Sequence, residues 1–93
     1  MIIKNLKIKI LPLLKTAGVT KSEVFGSVAR GEATKKSDLD LLVEMPENTS
    51  LFEFATLKTQ LEDSLDMKVD LVSYDSLKKA LKPFIQKDAI QIL

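Results

Sequence analysis

The apolar run at residues 38–44 constrains the fold of this chain more than any other segment, because four of its seven residues are Leu or Val. A short, nearly continuous apolar run that is closed by a proline, here Pro46, is typical of a strand, and we expect this strand to be buried on both faces over its later half. Such a strand needs other elements packed around it. Residues 38–44 are therefore predicted to form a buried strand inside a layered fold.

Hydrophobic periodicity predicts two further elements before this strand. Residues 3–16 carry apolar side chains at helical spacing and predict an amphipathic helix that ends at Gly18. Pro12 lies inside it and must either kink the helix or begin a second one, because proline cannot donate to the preceding turn. Residues 21–25 predict a strand that runs into a turn.

The clearest helix signature follows the buried strand. Ser50 is a candidate N-cap, and Glu53 stands three residues later, which is the capping-box pattern. An apolar stripe at helical spacing continues from there. Its members are Phe54, Leu57, Leu61 and Leu65.

The remaining segments complete the predicted order. Residues 27–30 predict one helical turn, residues 67–72 a third strand, and residues 77–81 a short helix capped by Asp75 or Ser76. The last apolar segment is left open between helix and strand; its apolar residues are Phe84, Ile85, Ile90 and Ile92. This succession of helices and strands predicts an α+β fold (α/β layers), in which helices pack on a small mixed sheet.

Composition bounds the chemistry. The 93 residues predict a single domain over residues 1–93, and the absence of Cys and His excludes disulfides, thiolate nucleophiles and imidazole chemistry. Any metal must then be a hard, oxygen-bound cation such as Mg²⁺, Mn²⁺ or Ca²⁺. A net charge of +1 and few aromatic residues give no reason to expect direct nucleic-acid binding. No apolar run can span a membrane or act as a secretory signal, so we expect a cytoplasmic protein.

Three aspartates stand out as candidate metal ligands. Asp38 and Asp40 are two residues apart on the predicted strand and so share a face, and Asp70 occupies the corresponding place in the next strand. If the two strands pair, three like charges meet, which raises the carboxyl pKa values unless a cation relieves the repulsion. The alternative for Asp38 and Asp40 is a solvated strand entrance.

A candidate anion-binding turn precedes the aspartates, with ten residues between Ser27 and Asp38. Gly26 has no side chain to obstruct an anion, and Ser27 offers a hydroxyl and an N–H group at the start of a helical turn. The alternative is an ordinary strand-to-helix turn. Arg30 is the only arginine in the chain and suits phosphate binding, although it is equally placed for a surface ion pair with Glu32.

Two motifs together resemble a known family. Residues 25–34 (FGSVARGEAT) and residues 37–43 (SDLDLLV) closely resemble the signature of the minimal nucleotidyltransferases in the DNA polymerase beta superfamily, and Asp70 matches the third carboxylate of that family. Either motif alone is common, but both at this interval are specific. The resemblance extends over nearly the whole chain and implies the nucleotidyltransferase-like fold.

The resemblance implies a chemistry for these residues. Asp38, Asp40 and Asp70 would hold two Mg²⁺ ions, with Mn²⁺ as the alternative, for an in-line displacement at the α-phosphorus of a nucleoside triphosphate. Gly26 and Ser27 would bind its β- and γ-phosphates, and ATP is the nucleotide that the family favours. Arg30 as a further phosphate ligand is inferred from its charge and position. The general base is left open; Asp70 is one candidate.

The resemblance also implies a partner. Larger relatives carry an additional helical domain that helps to bind the acceptor, and no such domain follows within these 93 residues, so we expect a partner or another subunit to supply the acceptor site. Minimal proteins of this type resemble the antitoxins of toxin–antitoxin systems whose toxin is a helical HEPN ribonuclease, and the implied reaction is transfer of AMP to a tyrosine of that toxin within a hetero-oligomer. The alternative is a binding antitoxin that neutralises its partner by covering it, with the C-terminal apolar residues as a contact.

Overall fold

Three helices, a 3-10 turn and four strands make up the part of the chain that the computed structural model describes, residues 3–32, 38–77 and 87–93. In chain order they are α1 (Ile3–Thr16), β1 (Lys21–Phe25), α2 (Gly26–Ala29), β2 (Leu39–Glu44), α3 (Leu51–Leu65), β3 (Val69–Ser73), the 3-10 turn (Tyr74–Ser76) and β4 (Ile90–Gln91). None of the helices in these ranges is long and apolar enough to cross a membrane. The predicted strands at residues 38–44 and 67–72 are present with small differences at their ends.

The four strands form one mixed sheet in the order β3-β2-β1-β4. β1 is antiparallel to both β2 and β4, whereas β2 and β3 are parallel. α3 connects β2 to β3, as a parallel connection requires. β2 is thus an inner strand with a neighbour on each side, which agrees with its apolar sequence.

The hydrophobic core lies between one face of the sheet and the long helices α1 and α3, which pack against each other. Alternate residues of β2 point into this core and are fully buried: Leu39, Leu41 and Val43. The helices contribute Leu6, Ile10, Leu14, Leu57 and Leu61. The other residues of β2, including Asp40 and Leu42, therefore lie on the opposite face of the sheet.

Pro12 does not divide the first helix. α1 continues from Ile3 to Thr16 with Pro12 inside it, so the expectation of a second helix beginning at Pro12 is wrong. Proline leaves one carbonyl without its helical N–H partner, here that of Ile8. Ile8 is 65% exposed, so water can reach this part of the helix, while the buried residues on the other side of α1 hold it to the core.

The N-cap of α3 at Ser50 is confirmed. The Ser50 hydroxyl oxygen accepts a hydrogen bond from the Glu53 N–H at 3.0 Å, and the same hydroxyl donates to the Glu53 carboxylate at 3.1 Å. α3 ends at Asp66, whose backbone is left-handed with φ 52°. A short connection then leads directly from α3 to β3, which begins at Val69.

The C-terminal expectations need correction. Asp75 and Ser76 belong to the 3-10 turn, and Leu77 is extended, so neither residue caps a helix that begins at position 77. Positions 78–81 of that predicted helix, and also Phe84 and Ile85, lie outside the described residues. Ile90 lies in β4, and Ile92 is 1% exposed within the core, so Ile92 is not a surface contact for a partner.

Candidate active site

The parallel pairing of β2 and β3 brings two of the candidate carboxylates together. Asp40 and Asp70 are register partners in adjacent strands, about 4.8 Å apart in the direction of the ladder, and their side chains leave the same face. This face is opposite to the α1 and α3 layer. Asp70 is exposed, whereas Asp40 is half-buried.

The negative charge of Asp38 also acts on Asp40. The pKa of Asp40 is raised above its ordinary value of 3.8, first by burial and then by the negative charges of Asp70 and Asp38. Arg30 acts in the opposite direction and lowers this pKa. The predicted meeting of like charges is thus present at Asp40, and the nearby guanidinium offsets it only in part.

Gly26 is held directly against Asp40. Phe25 of β1 is the register partner of Asp40, so the turn that follows Phe25 begins beside this carboxylate. Gly26 has φ +72°, and a Cβ atom at this position would collide with the Asp40 carboxylate oxygen. Glycine is favoured here by its backbone conformation, and any other residue would in addition displace the Asp40 carboxylate.

The turn at Gly26 leads into α2 without a side-chain cap. Phe25 occupies the N-cap position and makes no side-chain hydrogen bond to the first turn. At the other end the turn is closed by backbone bonds, from Arg30 N–H to the Gly26 carbonyl at 3.1 Å and from Glu32 N–H to the Ser27 carbonyl at 2.9 Å. N–H groups at the start of such a turn suit an anion that approaches beside Asp40.

Arg30 is engaged in an ion pair. Its Nε donates to the Glu32 Oε2 at 3.1 Å, and both side chains are largely exposed. The alternative that the sequence left open for Arg30, a surface ion pair with Glu32, is therefore present. Such an exposed pair contributes at most about 1 kcal/mol and is readily exchanged for another anion.

The carboxylates fit a divalent cation in donor type. Carboxylate oxygens are the ligands that Mg²⁺ and Mn²⁺ prefer. Asp40 and Asp70 are register partners on β2 and β3, and Asp38 directly precedes β2 and so lies just outside the strand that was predicted to carry it. Within residues 3–32, 38–77 and 87–93, however, no group of three acidic side chains is close enough to hold an ion. Asp38 and Asp70 are exposed, and ligation of one ion by all three carboxylates requires them to move closer to Asp40.

A polar cluster on the same face escaped sequence reasoning. The Tyr74 hydroxyl donates a 2.6 Å hydrogen bond to Glu23 Oε1, and Lys21 Nζ lies 3.6 Å from that oxygen and 5.1 Å from the centre of the Tyr74 ring. Burial and the Glu23 carboxylate raise the pKa of the Tyr74 phenol well above its ordinary value. Tyr74 and Glu23 are 51 positions apart, and no local pattern connects them.

Comparison with known proteins identifies the family. The sequence model of the nucleotidyltransferase domain family matches residues 7–92 of this chain. The chain belongs to the nucleotidyltransferase domain family. It is accordingly an enzyme of the nucleotidyltransferase class, and its small mixed sheet with helices is the fold of that family.

Relatives of this nucleotidyltransferase cover most of its length. A candidate protein adenylyltransferase of Methanocaldococcus jannaschii is 41% identical over 98% of both chains. The protein adenylyltransferase MntA of Thermococcus cleftensis is 40% identical over 81% of this chain and 76% of its own. A crystal structure of a toxin–antitoxin with AMP-PNP superposes with a TM-score of 0.82 at 26% identity, over 94% of this chain and 72% of that one.

The contact between Gly26 and Asp40 is open to a direct test. We expect Gly26→Ala to destabilise the nucleotidyltransferase more than Gly31→Ala, because both glycines have φ +72° but no described atom lies within 4 Å of a Cβ at Gly31. Gly31→Ala should lower the free energy of unfolding by roughly 1–2 kcal/mol, the cost of a left-handed alanine. Urea denaturation measures both variants, and equal losses would show that Gly26 is needed for its backbone conformation alone.

The repulsion at Asp40 has a stability signature. Since the folded state raises the pKa of Asp40, ionisation destabilises the fold, and the free energy of unfolding falls as pH rises from the ordinary value of 3.8 through the raised pKa. We therefore expect Asp40→Asn to be more stable than the wild type at pH 7 without divalent cations. The excess should shrink as pH falls towards 3.8.

Denaturation curves in a chelating buffer between pH 3.5 and 8 check this expectation. Asp63→Asn, at an exposed position of α3, is the control for loss of one negative charge. A pH-independent difference between Asp40→Asn and the wild type would show that Asp40 does not carry the repulsion.

Proposed function

We propose that this chain transfers AMP from ATP to a tyrosine hydroxyl of a helical HEPN toxin, and that it acts in this way as the antitoxin of the pair. The observation that carries the proposal is the pairing of Asp40 with Asp70 while Gly26 lies against Asp40. This arrangement sets an anion-binding turn beside a group of carboxylates at one end of the sheet. Phosphoryl-type transfer needs both parts at this short range.

Mg²⁺, or Mn²⁺ in its place, would be held by Asp38, Asp40 and Asp70. We expect two ions, because the resemblance to the family implies a two-metal reaction. When bound there, the cations neutralise charge on the transferring phosphoryl group and stabilise the attacking and leaving oxygens. The raised pKa of Asp40 supports this assignment, because a carboxylate group with uncompensated repulsion gains from a cation.

The turn at Gly26 and Ser27 is assigned to the β- and γ-phosphates. Its N–H groups meet the anion without a competing side-chain cap, and the missing side chain of Gly26 lets the phosphates lie close to Asp40. Arg30 lies near enough to Asp40 to lower its pKa and can exchange Glu32 for a phosphate oxygen. We assign Arg30 an auxiliary role, since it already has a carboxylate partner.

The reaction is a displacement at the α-phosphorus. The tyrosine oxygen forms a bond to this phosphorus while the bond to the bridging oxygen of the β-phosphate breaks, and pyrophosphate leaves. The tyrosine proton must pass to a base. Asp70 is our candidate, because it is the exposed carboxylate on the outer strand, where an acceptor from another protein can approach.

The partner and the nucleotide are supported by the relatives. MntA of Thermococcus cleftensis is named as a protein adenylyltransferase, which is the reaction type proposed here. The similar crystal structure is that of a toxin–antitoxin with AMP-PNP, an ATP analogue. We extend both properties to this chain and expect a hetero-oligomer of the two proteins.

A binding antitoxin without catalysis is the second candidate. Leu51 and Phe52 at the start of α3 favour it, because they are 84% and 81% exposed and a partner that covers them would gain apolar burial. Ile92 cannot take this role, since it is buried in the core. Catalysis remains our first proposal, because a covering protein does not need Gly26 to lie against Asp40.

A labelling experiment separates the two candidates. The chain, purified with its partner toxin, is incubated with Mg²⁺ and each of the four nucleoside triphosphates labelled at the α-phosphate. We expect label from ATP on a tyrosine of the toxin, and a loss of at least 100-fold, roughly the effect of one electrostatic group, in the double variant Asp38→Asn/Asp40→Asn.

Asp63→Asn is the matched control and should label the toxin like the wild type. The absence of label from every triphosphate, in a complex that still suppresses the toxin, would contradict catalysis and favour the covering role. Label that survives in the double variant would remove the aspartates from the mechanism.

A further inference from the structure

The strand that carries Asp70 is the least supported part of the active site. Among the described residues, β3 is an edge strand that pairs, in parallel, with β2 alone, whereas Asp40 lies on an inner strand. An edge strand has ladder hydrogen bonds along one side, so fewer main-chain bonds fix its position than fix that of an inner strand. The position of Asp70 opposite Asp40 therefore depends on whatever holds the two ends of β3.

A carboxylate from α3 holds the start of β3. Glu62 Oε2 accepts a hydrogen bond from the Val69 N–H at 3.0 Å. Leu39 N–H bonds to the Lys68 carbonyl, and because a strand alternates its main-chain groups from side to side, the Val69 N–H points to the open edge. Glu62 therefore satisfies the outward donor that immediately precedes Asp70.

A side chain that crosses the sheet holds the end of β3. Tyr74 follows directly after β3, and its hydroxyl reaches Glu23 of β1, two strands away, at 2.6 Å. The side chain must pass over β2, where Leu42 is the register partner of Glu23 and is fully buried. Lys21 Nζ lies 3.6 Å from the same Glu23 Oε1, so Glu23 is held by a second contact from its own strand.

From these contacts we propose that Glu62 and Tyr74 are positioning residues for Asp70. Glu62 fixes the start of β3 to α3, and Tyr74, through Glu23, fixes its end to the strand that leads into the Gly26 turn. The distance from the Gly26 turn to the Asp70 carboxylate thus depends on these two side-chain contacts as well as on the main-chain hydrogen bonds between β2 and β3. Neither residue touches the reacting atoms. The inference rests on the proposed function for its chemistry, but the two contacts can be tested without it.

Three variants and one control test the proposal. Glu62→Ala and Tyr74→Phe each remove one contact, Glu62→Gln keeps an oxygen that can accept from Val69, and Asp63→Ala removes a neighbouring carboxylate of α3. Mn²⁺ binding to the chain alone, followed by the electron paramagnetic resonance of free Mn²⁺, gives a readout besides activity. Tyr74 is the sole tyrosine in a chain without Trp, so its fluorescence reports its hydrogen bond in the other variants.

We expect Glu62→Ala and Tyr74→Phe to bind Mn²⁺ roughly three- to tenfold more weakly, as loss of one hydrogen bond implies. In transfer assays kcat should fall by a similar factor while KM for ATP changes little. Glu62→Gln and Asp63→Ala should resemble the wild type. A merely stabilising role would lower the urea midpoint and leave both Mn²⁺ affinity and kcat per folded molecule unchanged, and this result would overturn the proposal.

Amide hydrogen exchange at Asp70 separates this proposal from the proposed function. If the wild type binds no Mn²⁺ and transfers no nucleotide, the proposed function fails. Exchange that becomes faster at Asp70 by a larger factor than at Leu41 of the inner strand, in both Glu62→Ala and Tyr74→Phe, would still support positioning of β3, because a general loss of stability speeds exchange at both amides. Unchanged exchange at Asp70 in the two variants would overturn it, whatever the enzymatic result.

Discussion

The parallel pairing of β2 with β3 is the constraint on which the site depends. It sets Asp40 opposite Asp70 on the face of the sheet that α1 and α3 leave uncovered, while Leu39, Leu41 and Val43 bury the other side of β2. The alternation of a strand thus divides one short segment into a core-forming face and an acidic face. A register slip of one residue would reverse both faces, so the apolar core also determines the position of the carboxylates.

The apolar core that positions β2 also keeps Asp40 near the negative charges of Asp38 and Asp70. The pKa of this carboxyl is raised by burial and by two neighbouring aspartates, and Gly26 closes over it because it has no side chain. Burial of Leu57, Leu61 and the apolar residues of β2 stabilises the fold against this repulsion. If the proposed metal binds, it would relieve the repulsion, and this relief would add to the affinity of the carboxylates for the cation.

Much of this arrangement could be predicted from the sequence, because its signals are local. The alternation in residues 38–44, the capping box at Ser50 and the interval between Gly26 and Asp38 each depend on near neighbours. The structure differs from the sequence-based expectations where contacts between distant segments determine the conformation. α1 continues through Pro12 because its buried face packs on the core, and the bond between Tyr74 and Glu23 joins residues that only the sheet order brings together.

Asp38, Asp40 and Asp70 are proposed to form one cation site beside the Gly26 turn. Crystals of the chain grown with Mn²⁺ and AMP-PNP, measured at the manganese absorption edge, test it most directly. We expect an anomalous peak between the Asp40 and Asp70 carboxylates, with the β- and γ-phosphates against Gly26 and Ser27. A peak elsewhere, such as beside Glu44 and Asp75 at the other end of the strands, or phosphates bound away from Gly26, would contradict the account.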